Sequence, residues 1–388
     1  MSRLAFWITW VFVFIVPWEN VIVFPGVGTL AKIIGIATIV IGSLVILTRG
    51  KLRWHPFHTV SFLFVFWSWV SLSWSIDPES TLTRCITYTG LWLITLVIYQ
   101  LANTEARCRH LMWAYVFGAW VAALATMESY LQGIQVVCHR YAASGFNPND
   151  LSFYLNFAIP MAWYLGTKTQ RLSMRALSWG LIPIATVAIL LTGSRSGALG
   201  CGLALVYVVL SISRLNWKWR LAGIGLAMAA AILAVNLVPS TIYARLATLP
   251  HEVFHGTLNE RTVIWRAGIK VFAETPLLGG GAGAFRYAVA PILGREWAPH
   301  NVFLSVAVES GLIGLILWLG MMLMAFIGVF RMPPVERLMW LALFAILFLA
   351  FLALNFEWRK ASWLIMALAI AHARRATDAL PVKGTISP

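Results

Sequence analysis

HNVFLSVAVESGLIGLILWLGMMLMAFIGV, residues 300–329, holds only two ionisable side chains, His300 and Glu309. An apolar run of this length reads as a helix crossing a bilayer, whose hydrocarbon core is about 30 Å thick. An ionisable group in lipid costs roughly 3 kcal/mol or more, so one found there marks a function or a partner. The chain around this run therefore has to explain a histidine at its start and a glutamate nine residues further on.

Eleven more apolar spans accompany it, at 4–24, 29–48, 57–75, 82–101, 109–127, 151–166, 176–193, 196–213, 220–238, 335–354 and 360–373. Composition agrees: 60% of residues are hydrophobic, 11% are charged, and the mean hydropathy is +0.80. Soluble domains carry about 25% charged residues. The 20 tryptophans suit a protein with two membrane interfaces, where indole is favoured. The expected fold is an all-α polytopic integral membrane protein of about twelve transmembrane helices with one large outer loop. Residues 1–238 hold helices one to nine, 239–299 the loop, 300–373 helices ten to twelve, and 374–388 a cytoplasmic tail. The start of the chain has a signal-like basic residue, Arg3. Pro17, Trp18 and Glu19 follow its apolar run in place of a small-residue cleavage site, so it reads as a retained helix.

Charge placement gives the orientation. Arg49, Lys51 and Arg53 share one side with Arg107 and Arg109, with Lys168, Arg171 and Arg175, and with Arg214, Lys218 and Arg220. Arg331, Arg337, Arg374 and Arg375 continue that side. The positive-inside rule makes it cytoplasmic, with both termini there. The net charge of +15 is distributed over short loops and does not form a basic, aromatic-interleaved patch, so no nucleic acid is expected. The four cysteines are scattered and indicate neither a disulfide framework nor a thiolate metal site.

Two outer connections stand out. Residues 128–150 include CHRYAASGFNPND. Residues 239–299 are long and not apolar enough to span, and long connections are usually functional. Within the second, NERTVIWRAGIKVFAE (259–274) reads as an amphipathic helix with Asn259 as its cap and Ile264, Gly268, Val271 and Phe272 on one face. TPLLGGGAGAF (275–285) ends it. Backbone cradling of a phosphate and a plain turn are both open readings of these glycines.

Several cations lie outside or at the outer ends of spans, where the positive-inside rule disfavours them: Arg84, Arg140, Arg195, Arg245, Arg261, Arg266, Lys270, Arg286 and Arg295. An anionic substrate at the outer leaflet explains such a surface; anchoring to lipid headgroups is the plainer reading. Arg195 lies in the tight turn LTGSRSGALG (191–200), where small neighbours leave its guanidinium open to a phosphate; snorkelling to the interface is the alternative. Arg261 falls in the first turn of the loop helix, where a cation opposes the helix dipole, so local stability does not account for it. Arg266, Lys270 and Glu274 form an i, i+4 row that reads as a solvated stripe.

His300 begins a helix near several arginines. Both features disfavour imidazolium, and a neutral imidazole is what a general base needs; a structural histidine is the plain alternative. Glu309 is nine residues on, about 13 Å along the helix and on the opposite face. It cannot orient His300, and pairing with another helix is expected, with Gly311 and Gly314 allowing close packing. HEVFH (251–255) matches the H-E-x-x-H pattern of zinc proteases. Pro250 and Gly256 leave barely one turn of helix to align the two histidines, and no third ligand is evident, so no metal is expected.

FNPND, GSRSG, NERTVIW, ETPLLGGGAGAF and HNVFLSVAVESGLIG occur in that order. Together they resemble the bacterial O-antigen ligase/polymerase superfamily over about residues 140–320, with WSIDPESTLTR (74–84) outside that region. The resemblance implies a GT-C-like inner-membrane glycosyltransferase without a cofactor. Its donor would be a glycan on undecaprenyl diphosphate at the periplasmic side, its acceptor a lipid A–core sugar or another lipid-linked glycan, and membrane lipids its surroundings. It places the diphosphate on Arg195 and Arg261, less securely on Arg84, and makes His300 the base; Asn147, Asn149, Asn301 and Glu309 are candidate supporting residues. A polymerase is the runner-up. A glycolipid transporter or flippase fits less well, because the excess charge gathers at one face and no internal repeat is present. A membrane metalloprotease rests on HEVFH alone.

A cysteine placed at Thr257 should react with a membrane-impermeant thiol reagent added outside intact cells. Labelling only after lysis would overturn the orientation.

Overall fold

A computed structural model describes residues 1–50, 52–137, 139–248 and 260–378. HEVFH, Asn259 and Thr257 lie outside the described residues. Fifteen α-helices are present among the described residues, and the one sheet there is a two-strand hairpin, Val23–Phe24 with Gly28–Thr29. The first nine helices are α1 (Ser2–Ile15), α2 (Leu30–Arg49), α3 (Pro56–Val70), α4 (Pro78–Leu101), α5 (Glu105–Leu131), α6 (Pro148–Lys168), α7 (Leu172–Leu191), α8 (Arg195–Ile212) and α9 (Trp217–Leu237). Three shorter ones follow, α10 (Ser240–Ala247), α11 (Arg261–Glu274) and α12 (Phe285–Leu293). The last three are α13 (Val302–Ile327), α14 (Pro334–Ala353) and α15 (Lys360–Asp378). The chain is thus an all-α polytopic membrane protein.

Each expected span coincides with a helix, and eight of these are long and apolar enough to cross a bilayer: α2, α4, α5, α7, α8, α9, α13 and α14. The other four fall short for two reasons. The helix α3 is brief, and α1 stops at Ile15, well before the expected end at 24. Pro17 lies in the single 3-10 turn that follows α1 and has no amide to extend it. In contrast, α6 and α15 are full length but sit in the middle of the bundle. Every residue from Leu151 to Gly166 is buried, as is every residue from Ala361 to Ala373. Such helices face protein and not lipid, so they tolerate polar side chains that find partners. Asn156 donates to the Gly197 carbonyl at 2.9 Å, and Tyr154 to the Glu19 carboxylate at 2.7 Å.

Local sequence sets the helix ends. Thr29, Thr104, Asn147, Ser194, Asn216 and Asn301 each cap an N-terminus by accepting a backbone N–H. The cap position of α11 is Glu260, in a left-handed conformation (φ 65°), whose side chain makes no capping hydrogen bond. Its apolar face is as expected, with Ile264, Ala267 and Gly268 buried against Phe285, Val289 and Val308.

The helix α13 is not continuous. Gly311 has φ 65° and ψ −168°, which breaks the hydrogen-bond ladder inside the apolar span. Backbone groups freed in a membrane must be satisfied by protein. The segment Pro276–Gly283 does this: Gly280 N–H donates to the Val308 carbonyl (2.9 Å), Gly281 N–H to the Glu309 carbonyl (2.8 Å), and Leu312 N–H to the Pro276 carbonyl (2.8 Å). The Trp67 indole donates to the Ser310 carbonyl at 2.9 Å. The glycines serve this contact. A Cβ on Gly311 would lie 2.1 Å from the Leu277 carbonyl oxygen, and one on Gly279 2.6 Å from the Glu309 backbone.

Gly311→Ala should therefore lower stability by at least about 3 kcal/mol, combining left-handed strain with a backbone clash. Gly202→Ala, on a helix with open space around the added methyl, should be neutral or stabilising by up to about 1 kcal/mol. Thermal unfolding of both variants in detergent checks the pair. Equal melting temperatures would show that the break is not required.

Candidate functional site

The C-terminus of α7 runs into the turn Thr192–Ser194, with Gly193 at φ 57°. Helix C-terminal carbonyls lack intrahelical partners and carry partial negative charge. Two guanidinium groups use them: Arg140 Nε donates to the Thr192 carbonyl (2.7 Å) and Arg245 Nε to the Gly193 carbonyl (3.0 Å). Arg140 also donates to Asn149 Oδ1 at 2.6 Å. Arg195, at the start of α8, donates to the Arg245 carbonyl (3.3 Å) and to Thr248 Oγ1 (2.5 Å) at the end of α10. Three arginines from separate segments thus converge on one turn. Burial, then the charges of Arg245 and Arg195, push the Arg140 pKa down to about 10.

Arg261 is next in this chain of charges. Its side chain makes no hydrogen bond to a described residue, and burial and Arg195 lower its pKa. Its charge in turn reaches His300. Burial first and Arg261 second hold the His300 imidazole down to about 4, so it is neutral at physiological pH. Of the expected causes, a nearby arginine is present, and burial is larger than it. The backbone of His300 is left-handed (φ 49°). Two contacts pin this turn: Trp265 of α11 donates to the Pro299 carbonyl (2.9 Å), and His300 N–H donates to Asn355 Oδ1 (2.7 Å). The imidazole nitrogens make no hydrogen bond among the described residues.

Beyond Pro299 and Asn355 lies a polar cleft of about 350 Å³, lined also by Arg84, Tyr287, Glu309 and Glu357. Its charges are arranged differently. Arg84 is paired with Glu357 at 2.9 Å and lies over the Trp358 ring at 5.2 Å. Burial pushes the Glu357 carboxyl up, Arg84 opposes this, and Glu309 adds to it. The 355–360 segment also ties the bundle together, Arg359 pairing with Asp150 and Lys360 with Glu19.

Of the residues singled out from sequence, Arg195, Arg261 and His300 form one electrostatically connected group. Arg84 is outside it, engaged with Glu357. Asn147 and Asn301 are helix caps, and Asn149 supports Arg140. Glu309 does not pair with a charge on another helix as expected. It accepts from Ser305 of its own helix (3.1 Å) and from Gly283 N–H (2.8 Å). The Gly280, Gly281 and Gly283 amides are all spent on α13, which leaves the glycine run as a packing device and not a phosphate cradle. Sequence reasoning left out Asn355 and Glu357. The signal was the polar break NFEWRK (355–360) between two apolar spans.

The arrangement defines a class: a multi-pass membrane protein with a cationic group, a neutral histidine and a polar cleft at one end of its helices. Comparison with known proteins places it more closely. The family described as O-Antigen ligase matches residues 179–319, which include Arg195, Arg261, His300 and Glu309. An O-antigen ligase of Pseudomonas aeruginosa is 29% identical over 264 residues, 66% of this chain and 61% of that protein. The exopolysaccharide production protein ExoQ of Rhizobium meliloti is 25% identical over 286 residues, 69% of this chain and 64% of that protein. These matches support the O-antigen ligase/polymerase superfamily. The matched stretch spans less than two thirds of either relative.

Removing Arg84 would leave Glu357 buried without its cation. Arg84→Ala should lower stability by about 3–5 kcal/mol, and adding Glu357→Gln should recover part of the loss. Thermal melts of the single and double variants measure this. A double variant no more stable than Arg84→Ala would show that the pair carries no charge compensation.

Proposed function

We propose that this chain transfers a glycan from undecaprenyl diphosphate to an acceptor sugar at the periplasmic side of the inner membrane, as an O-antigen ligase acting on lipid A–core. The carrying observation is the sequence of neighbours Arg195, Arg261 and His300, two cations beside a histidine held neutral. Arg195 and Arg261 hold the diphosphate, with Arg140 and Arg245 fixing the turn behind them. As the bond from the anomeric carbon to the phosphate oxygen breaks, its electron pair stays on the diphosphate, and preorganised guanidinium groups stabilise the growing charge. His300 takes the proton of the acceptor hydroxyl, whose oxygen forms the new bond from the opposite face, so the configuration inverts. The diphosphate leaves without protonation, so no acid partner is needed. Arg84 serves the cleft geometry through Glu357.

A polymerase, joining one lipid-linked glycan to another, is favoured by the likeness to an exopolysaccharide production protein. The surface and lipid-linked glycans of a deletion strain separate the two. Loss of core-linked glycan with long chains retained on the lipid carrier supports the ligase; single repeats on the core support the polymerase.

Transfer in reconstituted membranes with defined donor and acceptor tests the residues. His300→Ala should lower turnover about 10²–10⁴-fold while donor affinity holds. Arg195→Lys and Arg261→Lys should lose most activity, since lysine lacks the bidentate fork, whereas Arg266→Ala should lose little. EDTA should have no effect; abolition by EDTA with rescue by zinc would instead point to His251, Glu252 and His255. The acid limb of kcat/KM reports the free enzyme. Protonation removes the base, so activity should fall as pH drops through about 4 and not through 6.5. Near-normal turnover by His300→Ala would remove it from the mechanism.

A further inference from the structure

A second cavity, of about 480 Å³, opens sideways between α2 and α4. The two helices touch at depth, where a Cβ on Gly42 would lie 2.5 Å from Val97, and they diverge towards the site end, where a Cβ on Gly90 would meet nothing within 4 Å. Small and apolar residues line the gap: Ala31, Gly35 and Ile39 from α2, and Gly90, Leu91 and Ile94 from α4. Ile36 and Ile86 at its edges are exposed at 55% and 58%, so the opening faces the hydrocarbon. Its upper end is polar. Lys32, Arg359 and Lys360 border it. Arg359 is paired with Asp150 and Lys360 with Glu19, while Lys32 has no ion pair among the described residues. Three cations thus face two carboxylates at the mouth of an apolar slot, which matches a hydrocarbon chain below an anionic headgroup.

The slot and the polar cleft are neighbours on the same two segments. Along α4, Ser80, Thr83 and Arg84 line the cleft and Ile86, Thr87 and Gly90 line the slot. Along the 355–360 segment, Asn355 and Glu357 belong to the cleft and Trp358, Arg359 and Lys360 to the slot. Trp358 stands between them, with the Arg84 guanidinium 5.2 Å and that of Arg359 4.0 Å from its ring. A lipid seated in the slot therefore has its headgroup beside the cleft, and the cleft ends at the His300 turn. The arginine group does not line the cleft, and it meets the 355–360 segment through the start of α6, where Asn149 holds Arg140 and Asp150 pairs with Arg359.

We propose that the slot between α2 and α4 seats a chain of a phosphorylated glycolipid, with its phosphate at Lys32 and its sugars in the cleft. Resting on the glycosyltransferase reading above, this lipid is the acceptor, and it enters between α2 and α4, a slot that none of the diphosphate cations lines.

Gly90→Leu fills the slot in open space, and Lys32→Glu reverses the unpaired charge. The full chain is placed in phosphatidylcholine nanodiscs with lipid A as the probe, and lipid retention is read by native mass spectrometry alongside transfer. Both variants should retain at least tenfold less lipid A than the wild type. Their KM for a lipid-anchored acceptor should rise at least tenfold with kcat and donor KM unchanged. Phosphatidylglycerol should not displace the probe at equal concentration. Wild-type retention by both variants overturns the seat, and displacement by phosphatidylglycerol overturns its assignment to a glycolipid. If the variants lose the lipid but the wild type transfers nothing, the seat stands and the transferase reading fails.

Discussion

The break in α13 at Gly311 is the constraint from which the site's geometry follows. A helix interrupted inside a membrane leaves amides and carbonyls that lipid cannot satisfy. Here they are met by Pro276–Gly283, by the Trp67 indole and by the close approach that glycine alone permits at 279 and 311. Docking this segment fixes α11 and α12 on either side of it, and α11 carries Arg261 and Trp265. Trp265 in turn holds the Pro299 carbonyl, so the cation and the histidine are positioned by one event. Glu309 belongs to the same device: its carboxylate receives the Gly283 amide as its backbone receives that of Gly281.

Charge is divided between two regions. On one side, arginines are oriented by helix-end carbonyls and a threonine hydroxyl. On the other, Arg84 and Glu357 neutralise each other within a cleft that also holds Glu309. In the proposed reaction, a diphosphate would be drawn to the first region, and a sugar acceptor would find donors and acceptors in the second.

The fold was legible because lipid-facing helices must be apolar over a fixed length. The same logic explains the spans that read weakly. Asn156 and Tyr154 dilute the apolar signal of α6 because that helix faces protein on all sides, and Lys360 and the closing arginines do so for α15. Arg195, Arg261 and His300 stood out as cations and a histidine where topology did not call for them. Asn355 and Glu357 could not be found that way. Asn355 acts by accepting one backbone amide 55 residues away in sequence, and Glu357 by meeting a guanidinium 273 residues away, relations that only the packed bundle creates. Glu309 was noticed for the right reason, its burial, but its partner is a backbone amide, which leaves no trace in composition.

The left-handed backbone at His300 narrows what evolution or an engineer can place there. Outside glycine, this region of conformational space is entered with least strain by asparagine, aspartate and histidine. For the proposed reaction, glycine and asparagine would offer no group that can take up a proton, and aspartate would set a negative charge against the proposed diphosphate. Histidine alone meets the backbone requirement and the electrostatic one together. The shape of the turn, and not only the reaction, therefore acts as a filter on residue identity at this position.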